Sequence, residues 1–338
     1  MRVAILSPIA WRTPPVHYGP WELVASLITE EMVRLGQDVT LFATAESITS
    51  ARLSSVTARG YEEDRSIDAK VVECLHISEC FEHASDFDII HNHFDFLPLT
   101  YSRLVDTPMV TTIHGFSSSR ILPVYKKYNA SVQYVSISDA DRSPELEYAG
   151  TVYHGIDLAS FPYKENPSRS YLLYYGRIHP DKGTREAIEI SRAVHMPLLI
   201  AGIIQDMDYF KLYVEPFLQK GKIAYLGSVG ADKRAELLGN AYALLHPISF
   251  NEPFGLSVVE AMACGTPVIA FKKGSMSELI TDGVDGFLCT SVEEAIGKIP
   301  SVAGLDRHSC RITVENRFTS SKMAADYLEI YRRISGLR

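Results

Sequence analysis

Apolar runs of strand length recur along the chain, each closed by a polar or glycine turn and most followed by a stretch of helical periodicity. In the first half "RVAILS" starts the series at residue 2, "WELVASLITEEMVRLG" carries a helical pattern that Gly36 closes, and "DVTLFAT" is the next strand. "FDIIHNH" and "PMVTTIHG" follow the same scheme, each ending at a histidine-bearing turn. A second series opens with "YLLYYGRI" and runs through a helix at 182–195, "PLLIAGI", a helix at 206–219, "KIAYLGS", a helix near 231–239 and "ALLHPI". It ends with a helix from Leu256 to Ala263, stopped by Gly265-Thr266-Pro267, and the strand "PVIAFK". Strands alternating with helices of this length predict right-handed βαβ units and parallel sheets. The expected class is α/β, with two Rossmann-like doubly wound domains. Between the two series, "HGIDLASFPYKENPSRS" loses periodicity and collects Pro and Ser, which marks 154–170 as a linker. The expected division is therefore a domain at 1–153, the linker, a domain at 171–315, and a C-terminal helix within 316–338 that packs back toward the first domain.

Length agrees with that division, since 338 residues exceed what one ordinary core covers, and a hydrophobic fraction of 46% leaves ample surface to bury. The five cysteines are scattered, with no CxxC pair, which fits reduced thiols better than a disulfide framework or a zinc site of the cysteine type. The opening "MRVAILSPIAW" lacks the long apolar core of a secretory leader, and no run of eighteen apolar residues occurs, so a soluble cytoplasmic protein is expected. Charge is uneven: residues 1–150 hold 12 Lys+Arg against 20 Asp+Glu, and the remainder is balanced. An acidic half repels nucleic-acid backbones and anionic headgroups, which argues against nucleic-acid partners and stable membrane docking through that half.

In open parallel sheets, ligands gather beyond the carboxyl ends of strands. After "YLLYY" comes "GRIHPDKG", where Arg177 and Lys182 share a Gly-bounded turn leading into a helix, two cations that make an anion pocket. In "NEPFGLSVVEAMACGTPVIAF", Glu252 precedes the helix start and Glu260 lies inside it, with Gly255 between. From Gly255 to Glu260 a helix rises about 8 Å at roughly 1.5 Å per residue. The two stretches together offer carboxylates flanking a cationic, amide-rich centre. A plain surface carboxylate is the alternative reading of Glu260.

These two motifs resemble the donor-binding half of the family 4 retaining glycosyltransferases of the GT-B fold, whose signature is a Glu-x7-Glu pair. "DIIHNH", "TTIHG", "VSISDADR" and "HGIDLASF" extend the resemblance over most of the chain. It implies two Rossmann-like domains with a cleft between them, an acceptor site mostly in the first and a nucleotide-sugar donor site mostly in the second. Carried over residue by residue, Glu252 holds the transferred sugar and Glu260 the ribose, while Arg177 and Lys182 stabilise the departing diphosphate without a metal. The amides of Gly255 and Leu256 face phosphate, and Phe254 and Gly19 belong to the donor surroundings. His114 in "TTIHG" lies against the transferred sugar, and His91, His93 and Ser138 stand on the acceptor side. No cofactor beyond the donor substrate is implied. Gly19 departs from the family pattern, being followed by Pro20, which has no N–H, where many relatives have a second glycine.

Two other patterns invite a metal. Asp206-Met207-Asp208 spells Asp-x-Asp, but a helix N-terminus rich in Asp explains it as well, and His91-Asn92-His93 shows no third ligand nearby in sequence. The resulting expectation is a retaining, metal-independent hexosyltransferase, with UDP-glucose as the first donor and a small soluble acceptor. A GT-B nucleotide-sugar epimerase and a non-catalytic nucleotide-sugar binder are the alternatives; the donor nucleotide and sugar, the acceptor and the oligomeric state stay open.

Overall fold

The computed structural model describes residues 1–336 except His17, Ser117 and Lys220, and leaves aside the side chains of Ser119, Ala231 and Asp232. The chain forms two compact units, Met1–Gly155 with Ser320–Arg338, and Ile156–Thr319. The first unit carries strands β1 (Arg2–Leu6), β2 (Asp38–Phe42), β3 (Arg52–Ser54), β4 (Ile89–Asn92), β5 (Met109–Ile113), β6 (Gln133–Ser136) and β7 (Tyr148–Thr151). Its helices are α1 (Pro20–Arg34), α2 (Ala69–Glu82), α3 (Leu122–Tyr128) and, from the end of the chain, α11 (Ser320–Ser335). The second unit carries β8 (Leu172–Tyr175), β9 (Leu198–Ala201), β10 (Ile223–Tyr225), β11 (Ala243–His246), β12 (Val268–Phe271) and β13 (Gly286–Cys289). Its helices are α4 (Thr184–Ala193), α5 (Met207–Tyr213), α6 (Ala231–Asn240), α7 (Leu256–Ala263), α8 (Met276–Leu279), α9 (Val292–Lys298) and α10 (Arg307–Arg317).

Both sheets are parallel, in the orders β3-β2-β1-β4-β5-β6-β7 and β10-β9-β8-β11-β12-β13. Each is doubly wound, so strand order reverses once per sheet, between β1 and β4 and between β8 and β11. Residues alternate between the faces of a strand, and here both faces are covered: Val3 and Ile5 enter one core of the first unit, Ala4 and Leu6 the other. On one face α1 and α11 share a core, with Val24, Ile28 and Met32 beside Met323, Tyr327 and Tyr331. On the other, α2 contributes Ile77, Cys80 and Phe81. Residues 320–335 thus help cover the first sheet.

Several boundaries move for identifiable reasons. The stretch expected as a linker divides at 155/156, and residues 156–170 belong to the second unit, where Ile156 bridges Thr319 and Arg169 donates to the Asn240 carbonyl. That unit runs to Thr319 rather than stopping at 315. The helix expected from 182 begins at Thr184, because Gly183 takes a left-handed φ of 77° after a 3-10 turn at Pro180–Lys182. The helix expected to 219 ends at Tyr213, ahead of a separate 3-10 turn that contains Pro216. No helix is long and apolar enough to cross a membrane among the described residues.

Candidate active site

In a doubly wound sheet the crevice opens where strand order reverses, beyond the carboxyl ends of the strands. In the second unit those strands are β8, which runs into Gly176-Arg177, and β11, which ends at His246. The turn after β8 packs directly on the loop after β11, since a Cβ on Gly183 would fall 2.0 Å from the Pro247 carbonyl oxygen. That contact brings Lys182 to Glu252. Their Nζ and Oε2 lie 2.7 Å apart, each side chain 13% exposed, and His246 Nε2 stands 3.6 Å from the same oxygen. The ammonium also sits over the Phe250 ring, 4.3 Å from its centre. Glu252 is fixed through its backbone: its carbonyl accepts from Ser275 N–H at 3.0 Å, and a Cβ on Gly274 would come within 2.4 Å of its nitrogen. Burial alone would push this carboxyl up, but His246 and Lys182 outweigh it and hold it at about 2.

Glu260 sits one turn into α7 in the opposite electrical condition. It is 3% exposed, so the surface alternative does not hold, and its nearest cation, Arg234, is 3.5 Å away. Burial prevails over that guanidinium and raises the carboxyl to about 7. Gly255, at a φ of 108°, precedes the helix and lets its start turn sharply. The amides of the first turn, Leu256 among them, lie outside the helix's own ladder. Phe254 is buried edge-on against Phe318, with ring centres 5.9 Å apart, and anchors the turn from below. Arg177 points to another strand end and donates to Gln205, after β9. Asp206 caps α5 by accepting from Tyr209 N–H at 2.9 Å, as a helix-start aspartate does, and Asp208 is exposed.

The first unit has its own opening at the reversal between β1 and β4. A cavity of about 490 Å³ is walled by the loops that follow those strands, Pro8 to Trp11 and Phe94 to Leu97, and by the start of α1. Gly19 lines this cavity; its φ is 149°, and a Cβ there would meet Glu22 Oε2 at 2.9 Å. Glu22 is 3% exposed, and burial raises its carboxyl to about 7 against the pull of its own N–H and that of Trp11.

Behind the cavity lies a buried chain of rings. His93 Nδ1 is 2.9 Å from His114 Nε2, His114 Nδ1 is 3.2 Å from His154 Nε2, and His93 Nε2 is 3.3 Å from His91 Nδ1. His91 Nε2 lies 2.7 Å from the Thr112 hydroxyl, which meets the Tyr327 hydroxyl at 2.6 Å, and the Tyr331 hydroxyl reaches His91 Nδ1. The Tyr331 hydroxyl and His93 Nε2 thus share His91 Nδ1, a nitrogen with one proton to give or one lone pair to offer. Burial keeps all four rings neutral, with His91 and His154 held at about 3 and His93 and His114 well below the ordinary histidine value. His114 stacks on Trp21 at 5.4 Å, and both of its ring nitrogens are taken by other histidines. Ser138, also buried, accepts from Asp141 N–H at 3.2 Å.

The sequence motifs that converge are thus Lys182 with Glu252, and His91 with His93 and His114. Sequence reasoning missed His246, Arg234 and His154, and it missed the cavity acids. One signal was present: the chain has only two tryptophans, Trp11 and Trp21, and they flank Gly19. The metal reading of His91 and His93 took no account of His114 and His154; the rings pair with one another, and no group of three or more potential ligands is arranged to hold a metal among the described residues.

Two doubly wound parallel sheets in succession, each with one strand-order reversal, define a protein of the GT-B fold. Residues 156–303, within the second unit, match the family described as glycosyl transferases group 1, and the chain carries the resemblance its motifs announced. The chain is 26% identical over 234 residues to the glycogen synthase of Mycobacterium tuberculosis, a match covering 60% of this chain and 56% of that one. It therefore spans little more than half the length of the first curated relatives it matches. Among solved structures, AviGT4, a glycosyltransferase involved in avilamycin A biosynthesis, superposes with a TM-score of 0.72 at 22% identity, covering 100% of this chain and 99% of that one. Anabaena HepE in complex with UDP-glucose does so at 0.71 and 18% identity, with both chains fully covered. At these identities the structural likenesses establish the fold.

Proposed function

We propose that the chain is a retaining glycosyltransferase that moves a hexose from a nucleoside-diphosphate sugar to a small acceptor without requiring a metal. The observation that carries this reading is the Lys182–Glu252–His246 cluster beside the start of α7, at the strand-order reversal of a family-matched unit. Glu252, ionised and rigid, accepts hydrogen bonds from hydroxyls of the transferred sugar next to the reacting carbon. Lys182 and the first amides of α7 meet the diphosphate, where negative charge grows as the glycosidic bond breaks. Arg177 is a second cation for that charge once it leaves Gln205. Glu260, deeper in the helix, takes the ribose hydroxyls. UDP-glucose is the donor to try first, because HepE was crystallised with it and the fold is shared.

The test is turnover with UDP-glucose and GDP-mannose, with and without EDTA and a panel of acceptors. Release of nucleoside diphosphate that depends on an acceptor and persists in EDTA is the expected result. Activity abolished by EDTA and restored by Mn²⁺ overturns the metal-independent part, and conversion of the donor to its epimer without acceptor replaces transfer by epimerisation.

A further inference from the structure

The first unit's cavity carries a statement about its ligand. We infer that it takes an uncharged, hydroxyl-bearing ring compound, a neutral sugar or cyclitol, and that it discriminates against phosphorylated versions of the same ring. Calling that ligand the acceptor rests on the glycosyltransferase reading; the binding preference does not.

Three observations carry the inference. At about 490 Å³ the cavity falls within the usual span of small-molecule pockets, about 300–1,000 Å³. Both tryptophans of the chain line it, with Tyr18 and Tyr61 beside them, and Trp11 meets Tyr18 edge-on at 6.5 Å. Flat rings of this kind take up the C–H faces of a sugar or cyclitol while leaving the rim hydroxyls to polar groups. The polar groups are acids: Glu22, Glu73 and Asp95 line the cavity, and no Lys or Arg does so among the described residues.

The acids also argue against a cationic ligand, because each already has a neutral partner. Asp95 accepts from the Tyr125 hydroxyl at 2.5 Å, Glu73 faces the Tyr61 hydroxyl, and Glu22 is held by backbone N–H groups. Carboxyls so placed accept from sugar hydroxyls. A phosphate brought among them meets three acids in a partly desolvated wall with no Lys or Arg among its described lining residues to offset them. The stacking of Trp21 on His114 ties this wall to the neutral histidine chain, which offers no positive charge either.

Because both tryptophans are in the wall, selective tryptophan emission reports on this cavity. The experiment titrates the full chain at pH 8 with matched probes, glucose against glucose 6-phosphate and myo-inositol against its monophosphate, with glucosamine as the cationic probe. The expected result is a saturable emission change with a neutral probe and at least tenfold weaker binding of its phosphorylated partner. In Glu22→Gln/Glu73→Gln the ratio should fall toward one, chiefly because the phosphorylated probe gains. The inference is overturned by equal or tighter binding of a phosphorylated probe, by a response to glucosamine alone, by no response at all, or by an unchanged ratio in the double variant. A parallel calorimetric titration with UDP separates the two readings. Binding of UDP without any neutral-sugar response sinks the cavity inference and leaves the glycosyltransferase reading standing; neutral-sugar binding without UDP binding does the reverse.

Discussion

The two units share one topology and use it with opposite electrostatics. In the second, the strand-order reversal gathers opposite charges, Lys182 on Glu252 with His246 beside them. In the first, the reversal gathers rings that are kept neutral, four histidines joined edge to edge, with acids on the far side of Trp21. The topology brings strand-end loops together in both cases, and the side chains they carry decide what each place suits. A charged, pre-formed site suits a diphosphate whose charge grows during reaction, whereas a neutral, ring-lined site suits hydroxyls.

The largest consequence is in acid. Neutral buried histidines mean that the unfolded chain binds protons the folded first unit refuses, so stability falls as pH drops below about 6.5, the ordinary histidine value. His76, His91, His93, His114 and His154 all contribute, and the proton that Glu22 keeps in the native state offsets one of them. Each histidine contributes about 1.4 kcal/mol per pH unit, so several kcal/mol are lost by pH 5. The second unit moves the other way over the same range. Glu260, raised to about 7, holds a proton that the unfolded chain has released, so it favours the folded state increasingly as pH falls from 7 toward 4.5. Glu252, held at about 2, costs stability only below about 4.5. Tryptophan emission, which reads the first unit alone, should therefore change on acidification before far-ultraviolet circular dichroism is fully lost. Coincident transitions would break the comparison.

Next in size is the ion pair. Lys182→Met leaves Glu252 largely buried with only His246 near it, and should destabilise the second unit by roughly 3 kcal/mol in urea unfolding. Adding Glu252→Gln should restore most of that stability but no turnover, since the pair is then neutral and chemically idle. Turnover in the double variant would remove both residues from the mechanism. Glu252→Gln alone should lower kcat by about ten- to a hundredfold, the equivalent of roughly 1.5–3 kcal/mol for one charged hydrogen bond.

The smallest effect belongs to the histidine chain. Tyr331→Phe removes the hydroxyl that shares His91 Nδ1 with His93 and should cost about 1 kcal/mol of stability. The more telling readout is the ring-nitrogen resonances of His91 and His93, whose tautomer populations should differ between the parent and the variant. An unchanged spectrum would mean that Tyr331 does not orient the chain.

How far the sequence announced these sites follows from the same contrast. The charged site was legible because its parts lie in two short segments, "GRIHPDKG" and "NEPFGLSVVEAM", with glycines at turns that only glycine fits, and α7 ran from Leu256 to Ala263 as its pattern predicted. The neutral site was not, because its partners come from strands and helices far apart in sequence, 240 residues for Tyr331 and His91. Helix α2 went unread because His76, Ile77, Cys80 and Phe81 are its only buried residues, too narrow a stripe to stand out from its charged neighbours. Strand β3 has three residues, none buried, and leaves no periodicity to detect. Arg177 was read as half of a cation pair from spacing alone; the packing that sends it to Gln205 is a tertiary fact.

The central claim, that the two acids of α7 and its approach hold opposite ends of a nucleotide sugar, is tested most directly by calorimetry with free nucleoside diphosphate, which lacks the transferred sugar. At pH 8, where Glu260, raised to about 7, is mostly ionised, Glu252→Gln should bind it nearly as well as the parent, and Glu260→Gln about ten- to a hundredfold more weakly, for loss of one charged hydrogen bond of roughly 1.5–3 kcal/mol to the ribose. The reverse ordering, or no binding by the parent, would contradict the account.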